Sequence, residues 1–134
     1  NDTASIRNKR ILVVDDEPLV VMDAVAMLEE QGCNIVGPAA TFAKAKTLID
    51  SSHFDAALLD ANLGGQSVDE LAAALTRLNI PFAFLTGYDR ESLPEAFRQA
   101  PLIGKPYSQQ QLLATVAKLF NRDHSVIRIR QKVN

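Results

Sequence analysis

Three runs of four consecutive apolar residues constrain this chain most: Ile11-Leu12-Val13-Val14, Ala56-Ala57-Leu58-Leu59 and Phe82-Ala83-Phe84-Leu85. None alternates with polar residues, and each gives way at once to a polar one: Asp15, Asp60 and Thr86. A strand with one wet face alternates; a strand covered on both faces does not, which is the habit of parallel sheets. Asn34 to Pro38 is a weaker candidate strand and Leu102-Ile103-Gly104 a short fifth one.

The stretches between these runs carry helical signals. Pro18 suits a first helical turn, Val21, Val25 and Leu28 share a face, and Gly32 marks a stop. Thr41 can cap a second helix with Phe42, Ala45 and Ile49 inward. Ser67 and Glu70 have capping-box spacing before Val68, Leu71, Ala72, Leu75 and Leu78. Asp89 to Gln99 reads as a short polar helix interrupted by Pro94, and Ser108 opens a last helix with Leu112, Val116, Leu119 and Phe120 inward. Five strands alternating with five helices predict a flavodoxin-like α/β domain, a doubly wound parallel sheet of order 2-1-3-4-5 with right-handed crossovers. That domain is expected over 10–120, with an N-terminal extension over 1–9 and a tail or linker over 121–134.

Composition excludes several functions. The 134 residues carry a formal net charge of -2, which lacks the basic excess of a nucleic-acid surface. Cys33 is the only cysteine, so no internal disulfide forms. The absence of a long apolar run or an apolar secretory segment leads to the expectation of a cytoplasmic protein without membrane insertion. Beginning at Asn1 rather than Met, the chain is expected to be trimmed or cut from something longer.

The chemistry is suggested by position. Asp15 and Asp16 follow the first strand, Asp60 ends the third, Thr86 and Gly87 follow the fourth, and Lys105 follows the fifth. Ligands of open α/β sheets bind outside these carboxyl ends, where strand order reverses. Two carboxylates about 4 Å apart repel by roughly 4 kcal/mol at an effective dielectric near 20, so such a group either protonates or binds a cation. Oxygen ligands without nearby His or Cys suit Mg²⁺; His53 and His124 stand away from the rim, so zinc is not expected. With the cation in place Asp60 could attack phosphorus, while Asp15 and Asp16 hold the metal and Thr86 and Lys105 take the remaining oxygens.

The ordered set ILVVDDEP, ALLDANL, FLTGY and GKPY resembles the receiver domains of bacterial two-component response regulators. The resemblance implies that Asp60 takes a phosphoryl group from the phosphohistidine of a histidine kinase or histidine phosphotransfer protein. It implies Mg²⁺ on Asp15, Asp16, Asp60 and the Asn62 backbone carbonyl, and a cis peptide before Pro106. It also implies a monomer or phosphorylation-dependent dimer. Separately, a pull on Thr86 would drag the polar, Pro94-containing fourth helix, so a downstream protein is expected on the face of the fourth helix, fifth strand and fifth helix. Many receivers have Tyr or Phe where this chain has Leu102; the PFAFLTGY stretch is partly similar to a stand-alone subfamily with Phe-Ala-Thr-Gly-x-Tyr, leaving Tyr88 or Tyr107 as the moving aromatic. Aspartate-nucleophile phosphatases need D-x-D after the first strand; Asp15-Asp16-Glu17-Pro18 lacks that spacing, so no enzyme beyond self-phosphorylation and self-dephosphorylation is expected. The alternatives are a pseudo-receiver that only binds proteins, or a receiver excised from a hybrid kinase or larger regulator.

Overall fold

The structure, a computed structural model, describes residues 6–87 and 100–133, and side chains up to Asn121. The expected helix over Asp89–Gln99, and Tyr88, lie outside the described residues. Strands β1 (Arg10–Val14), β2 (Asn34–Ala39), β3 (Ala56–Asp60), β6 (Phe82–Thr86) and β7 (Leu102–Gly104) form one sheet in the order β2-β1-β3-β6-β7. Every neighbouring pair in it is parallel. Helices α1 (Pro18–Glu30), α2 (Phe42–Ser51), α3 (Asp69–Arg77) and α4 (Gln109–Val133) are the four among the described residues.

The unbroken apolar runs have a direct cause. Successive strand residues point to opposite faces. Leu12 and Val14 join Ala45 and Ile49 of α2 and Leu71 and Leu75 of α3 in one buried layer. Ile11 and Val13 join Ala24 and Leu28 of α1 and Leu112 and Val116 of α4 in the other. With both faces covered, β3 is buried along its whole length. Each fully buried Leu or Ile stabilises the fold by about 1.5–3 kcal/mol before the entropy of ordering it is counted.

Several local features differ from the sequence-based expectation. A small antiparallel ladder, β4 (Asn62–Leu63) with β5 (Gln66–Ser67), follows β3. Gly64 and Gly65 turn it at φ +60° and +79°, the left-handed pair that a type I′ two-residue hairpin turn requires. Because Ser67 belongs to β5, the Ser67–Glu70 capping box does not form. Ser67 Oγ instead accepts from Asp69 N at 3.2 Å and donates to Asp69 Oδ1 at 2.7 Å, while Glu70 lies 3.4 Å from Lys46 Nζ. The reciprocal box is at α4: Gln111 N donates to Ser108 Oγ at 3.1 Å and Ser108 N to Gln111 Oε1 at 2.8 Å. Thr41 caps α2 as expected, accepting from Lys44 N at 3.1 Å. Leu78 falls just past the end of α3 and is exposed, not inward. On α1 the buried residues are Ala24 and Leu28, whereas Val21 and Val25 are only partly covered. Phe42 and Phe120 are likewise only partly buried.

Two segments flanking the sheet are also structured. Ile6 is fully buried, its carbonyl 3.3 Å from Cys33 Sγ, and Asn8 N donates to Gly32 O at 2.8 Å. Helix α4 does not stop at Phe120 but runs on to Val133. Among the described residues no helix is long and apolar enough to cross a membrane.

Candidate functional site

Parallel register places the polar residues on one rim. Val14 pairs with Leu59, Asp60 with Leu85, and Thr86 with Gly104, so Asp15, Asp60, Thr86 and Lys105 all arrive where their strands end. Backbone bonds hold these ends together: Asp15 N to Ala39 O at 3.0 Å, Ala61 N to Leu85 O at 2.9 Å and Lys105 N to Thr86 O at 2.8 Å. An open cleft of about 540 Å³ lies above them, lined by Asp16, Glu17, Asp60, Asn62, Gly64, Gly65, Thr86, Gly87 and Lys105. The Lys105–Pro106 peptide is cis.

Asp15, Asp16 and Asp60 converge, each offering a carboxylate oxygen within 4.8 Å of the others. Asp15 and Asp60 are buried and Asp16 is exposed to the cleft. Local bonds aim two of them: Asp15 Oδ1 accepts from Glu17 N at 2.9 Å, and Asp60 Oδ1 from Asn62 N at 3.1 Å. Lys105 Nζ is 2.5 Å from Glu17 Oε1, 2.9 Å from Asp15 Oδ2 and 3.6 Å from Asp60 Oδ2. Burial pushes the Asp60 carboxyl up to about 7. The Asp15 and Asp16 charges add to this, while the Asn62 amide and Lys105 oppose it. Burial pulls the Lys105 ammonium down, but Glu17, Asp15 and Asp60 outweigh it and hold the group above the usual lysine range.

This donor set fits a hard divalent cation. Its ligands are oxygens, and Asp15 Oδ2 is buried without a hydrogen-bond donor in good geometry, with the Lys105 ammonium 2.9 Å away. Magnesium, which keeps several waters and takes few carboxylates, suits a site open to the cleft through Asp16. His53 is exposed beside the start of β3, at the far end of that strand from Asp60.

Of the predicted site residues, Asp15, Asp16, Asp60, Asn62, Thr86, Gly87 and Lys105 meet at this rim, and Tyr107 is half-buried within electrostatic reach of Asp15 and Lys105. Burial first, and then the Asp15 charge, push its phenol up to about 12; the hydroxyl is buried without a hydrogen-bond partner. Two features escaped the sequence reading. Glu17 is the nearest partner of Lys105, and the Gly64–Gly65 turn brings backbone close to Asp16, so that a Cβ added at Gly64 would lie 3.7 Å from Asp16 Oδ2. The Gly-Gly dipeptide was a readable turn signal; the Glu17 pairing spans 88 residues and had no local signature.

The response regulator receiver domain model matches residues 11–117. The chain belongs to that family. It is 32% identical over 112 residues to the phyllosphere-induced regulator PhyR of Methylorubrum extorquens, covering 81% of this chain and 42% of that protein. It is 26% identical to the transcriptional regulatory protein PdtaR of Mycobacterium tuberculosis, covering 93% of this chain and 63% of that protein. This chain therefore spans less than two thirds of either relative. The PhyR structure from Brucella abortus superposes with a TM-score of 0.80 at 28% identity, covering 98% of this chain and 56% of that one. SdrG from Sphingomonas melonis superposes at 0.76 with 36% identity, covering 84% of this chain and 97% of that one. The chain is thus a receiver domain of two-component signalling, homologous to PhyR.

Proposed function

We propose that this receiver is a phosphoacceptor, in which Asp60 takes a phosphoryl group from the phosphohistidine of a histidine kinase or histidine phosphotransfer protein. The observation that carries this reading is three carboxylates within 4.8 Å of one another, faced by Lys105 on the rim of a parallel sheet. Asp15, Asp16, Asp60 and the Asn62 carbonyl would hold Mg²⁺. Bound there, Mg²⁺ neutralises phosphoryl oxygens and keeps Asp60 ionised. A bond forms from an Asp60 oxygen to phosphorus as the donor's N–P bond breaks and imidazole leaves with the electron pair. Lys105 and Thr86 take the other phosphoryl oxygens, with Gly87 beside them.

Phosphorylation adds about -1.5 to -2 charge. Inverting a two-state equilibrium from 1:99 to 99:1 takes roughly 5.5 kcal/mol, within reach of two or three charge-assisted hydrogen bonds. Thr86 is tied through its carbonyl to Lys105 N just past β7, so its inward pull favours a changed surface on β7 and α4, where a downstream protein docks. Tyr107 is a switch candidate because its hydroxyl is buried without a hydrogen-bond partner. PhyR of Bartonella quintana, 26% identical, is an anti-anti-sigma factor, which supports output through protein contact. The site turns over no substrate; its only chemistry is labelling and self-hydrolysis.

The test is transfer from a phosphorylated kinase or from phosphoramidate with Mg²⁺. Labelling that is stoichiometric, requires the metal and disappears in Asp60→Asn is expected. An unlabelled chain under ample donor would leave only a protein-binding pseudo-receiver, and steady release of phosphate from phosphomonoesters would mean a phosphatase.

A further inference from the structure

Lys105 has three acidic neighbours, and the one that no step above uses is the nearest. Its Nζ donates to Glu17 Oε1 at 2.5 Å, while Asp60 Oδ2 stands at 3.6 Å. The Glu17 side chain is 58% exposed and lines the cleft, whereas the Lys105 side chain is only 13% exposed. Glu17 N–H also orients Asp15 Oδ1 at 2.9 Å, a backbone contact independent of the Glu17 carboxylate. Glu17 therefore has two separable roles. The backbone aims a metal ligand, and the side chain draws the ammonium toward the mouth of the cleft.

We infer that Glu17 is a positioning residue that holds Lys105 off Asp60 at rest, so that an incoming phosphoryl group must win the ammonium from the Glu17 carboxylate. This inference rests on the phosphoacceptor reading of the same site. A phosphoryl group seated on Asp60 brings several acceptor oxygens and more negative charge than one carboxylate. It therefore outcompetes Glu17 once present. The resting pair raises the barrier to arrival and leaves the labelled state little affected.

The experiment uses the full chain, phosphoramidate and Mg²⁺, and follows phosphate bound to Asp60. Glu17→Gln keeps the backbone N–H and the size but removes the charge. It should be labelled about fivefold faster, while Glu17→Asp, which restores a carboxylate, should fall back toward the original rate. The decisive arm is the same change in a Lys105→Gln background. If Glu17 acts through the ammonium, Glu17→Gln there changes the slower rate less than about twofold.

An equal acceleration in that background would mean simple relief of repulsion toward the donor and would overturn the inference. So would a wild-type chain that is labelled while Glu17→Gln is labelled no faster. A tenfold weaker Mg²⁺ affinity in Glu17→Gln would also overturn it, by making Glu17 a metal ligand. If neither form takes up phosphate, the reading of the site falls and this inference with it. The Lys105 side-chain NMR signal should also shift in Glu17→Gln without any phosphodonor, and an unmoved signal would overturn the resting contact directly.

Discussion

Leu59 and Asp60 are neighbours on β3, both nearly inaccessible to water at 0% and 4% exposure, yet they do opposite things for the fold. Leu59 belongs to the sheet interior, where dry surroundings suit the side chain and burial stabilises. Asp60 belongs to the rim, where the same dryness raises its pKa to about 7 and two more carboxylates crowd it. The interior holds the structure together and the rim stores unfavourable electrostatics in it. Chemistry of this kind needs the rim strained and the interior strong enough to keep it so.

The sharpest test of that contrast is to empty each region in turn. Leu58→Ala, in the interior, should cost about 2–5 kcal/mol of unfolding free energy. Asp60→Asn should instead stabilise by about 1–3 kcal/mol at pH 8 without metal, because it removes a buried charge from a like-charged cluster. The sign follows from linkage. An acid whose folded pKa is raised binds its proton more tightly in the fold, so its stabilising contribution is present below pH 4 and is lost as pH rises through about 7. Wild-type stability should therefore carry a falling component between pH 4 and 7 that Asp60→Asn lacks. Urea melts across that range check it, and an Asp60→Asn protein less stable than wild type at pH 8 would break the contrast.

Magnesium should relieve the rim alone. At a hundredfold excess over its dissociation constant a ligand of the native state stabilises by about 2.7 kcal/mol. Thermal melts with and without Mg²⁺ should show this gain in wild type and most of it lost in Asp15→Asn, while Leu58→Ala gains as much as wild type. An equal gain in Asp15→Asn would place the ion elsewhere.

Beside the cleft, the first two turns of α1 present Leu19 at 76% and Met22 at 65% exposure, large apolar side chains that the interior does not use. On the phosphoacceptor reading, their place beside Asp16 and Glu17 is where a phosphodonor protein would touch. Leu19→Glu should slow labelling from a phosphorylated kinase about tenfold and leave labelling by phosphoramidate within about twofold. A loss with both donors would assign Leu19 to the site instead.

The interior and the rim were also unequally legible. Interior strands announce themselves because burial on both faces erases alternation, and the rim follows because each run stops at a polar residue: Val14 at Asp15, Leu59 at Asp60, Leu85 at Thr86. What local pattern cannot carry stayed hidden. Strands β4 and β5 are two residues each, too short for any period. The Lys105–Glu17 pair depends on the sheet bringing distant rim positions together. Leu78 kept the apolar spacing of α3, but the helix had ended one residue earlier. The continuation of α4 past Phe120 crosses Asn121, Arg122, Asp123 and His124, a polar stretch in which no apolar face marks the helix.

Two serines make the smallest and most local version of the same lesson. Ser67 and Ser108 each precede a helix and each have Glu or Gln three residues on, so by spacing alone they are equivalent caps. In the fold only Ser108 completes the reciprocal pair, with Gln111. Ser67 is held in β5, and its hydroxyl bonds to Asp69 within an exposed turn that water can replace. Ser108→Ala should therefore cost about 1 kcal/mol, the usual loss of a helix cap, and Ser67→Ala less than about 0.5 kcal/mol. Equal losses in urea melts would mean that the spacing, and not the strand that captures Ser67, decides which serine caps.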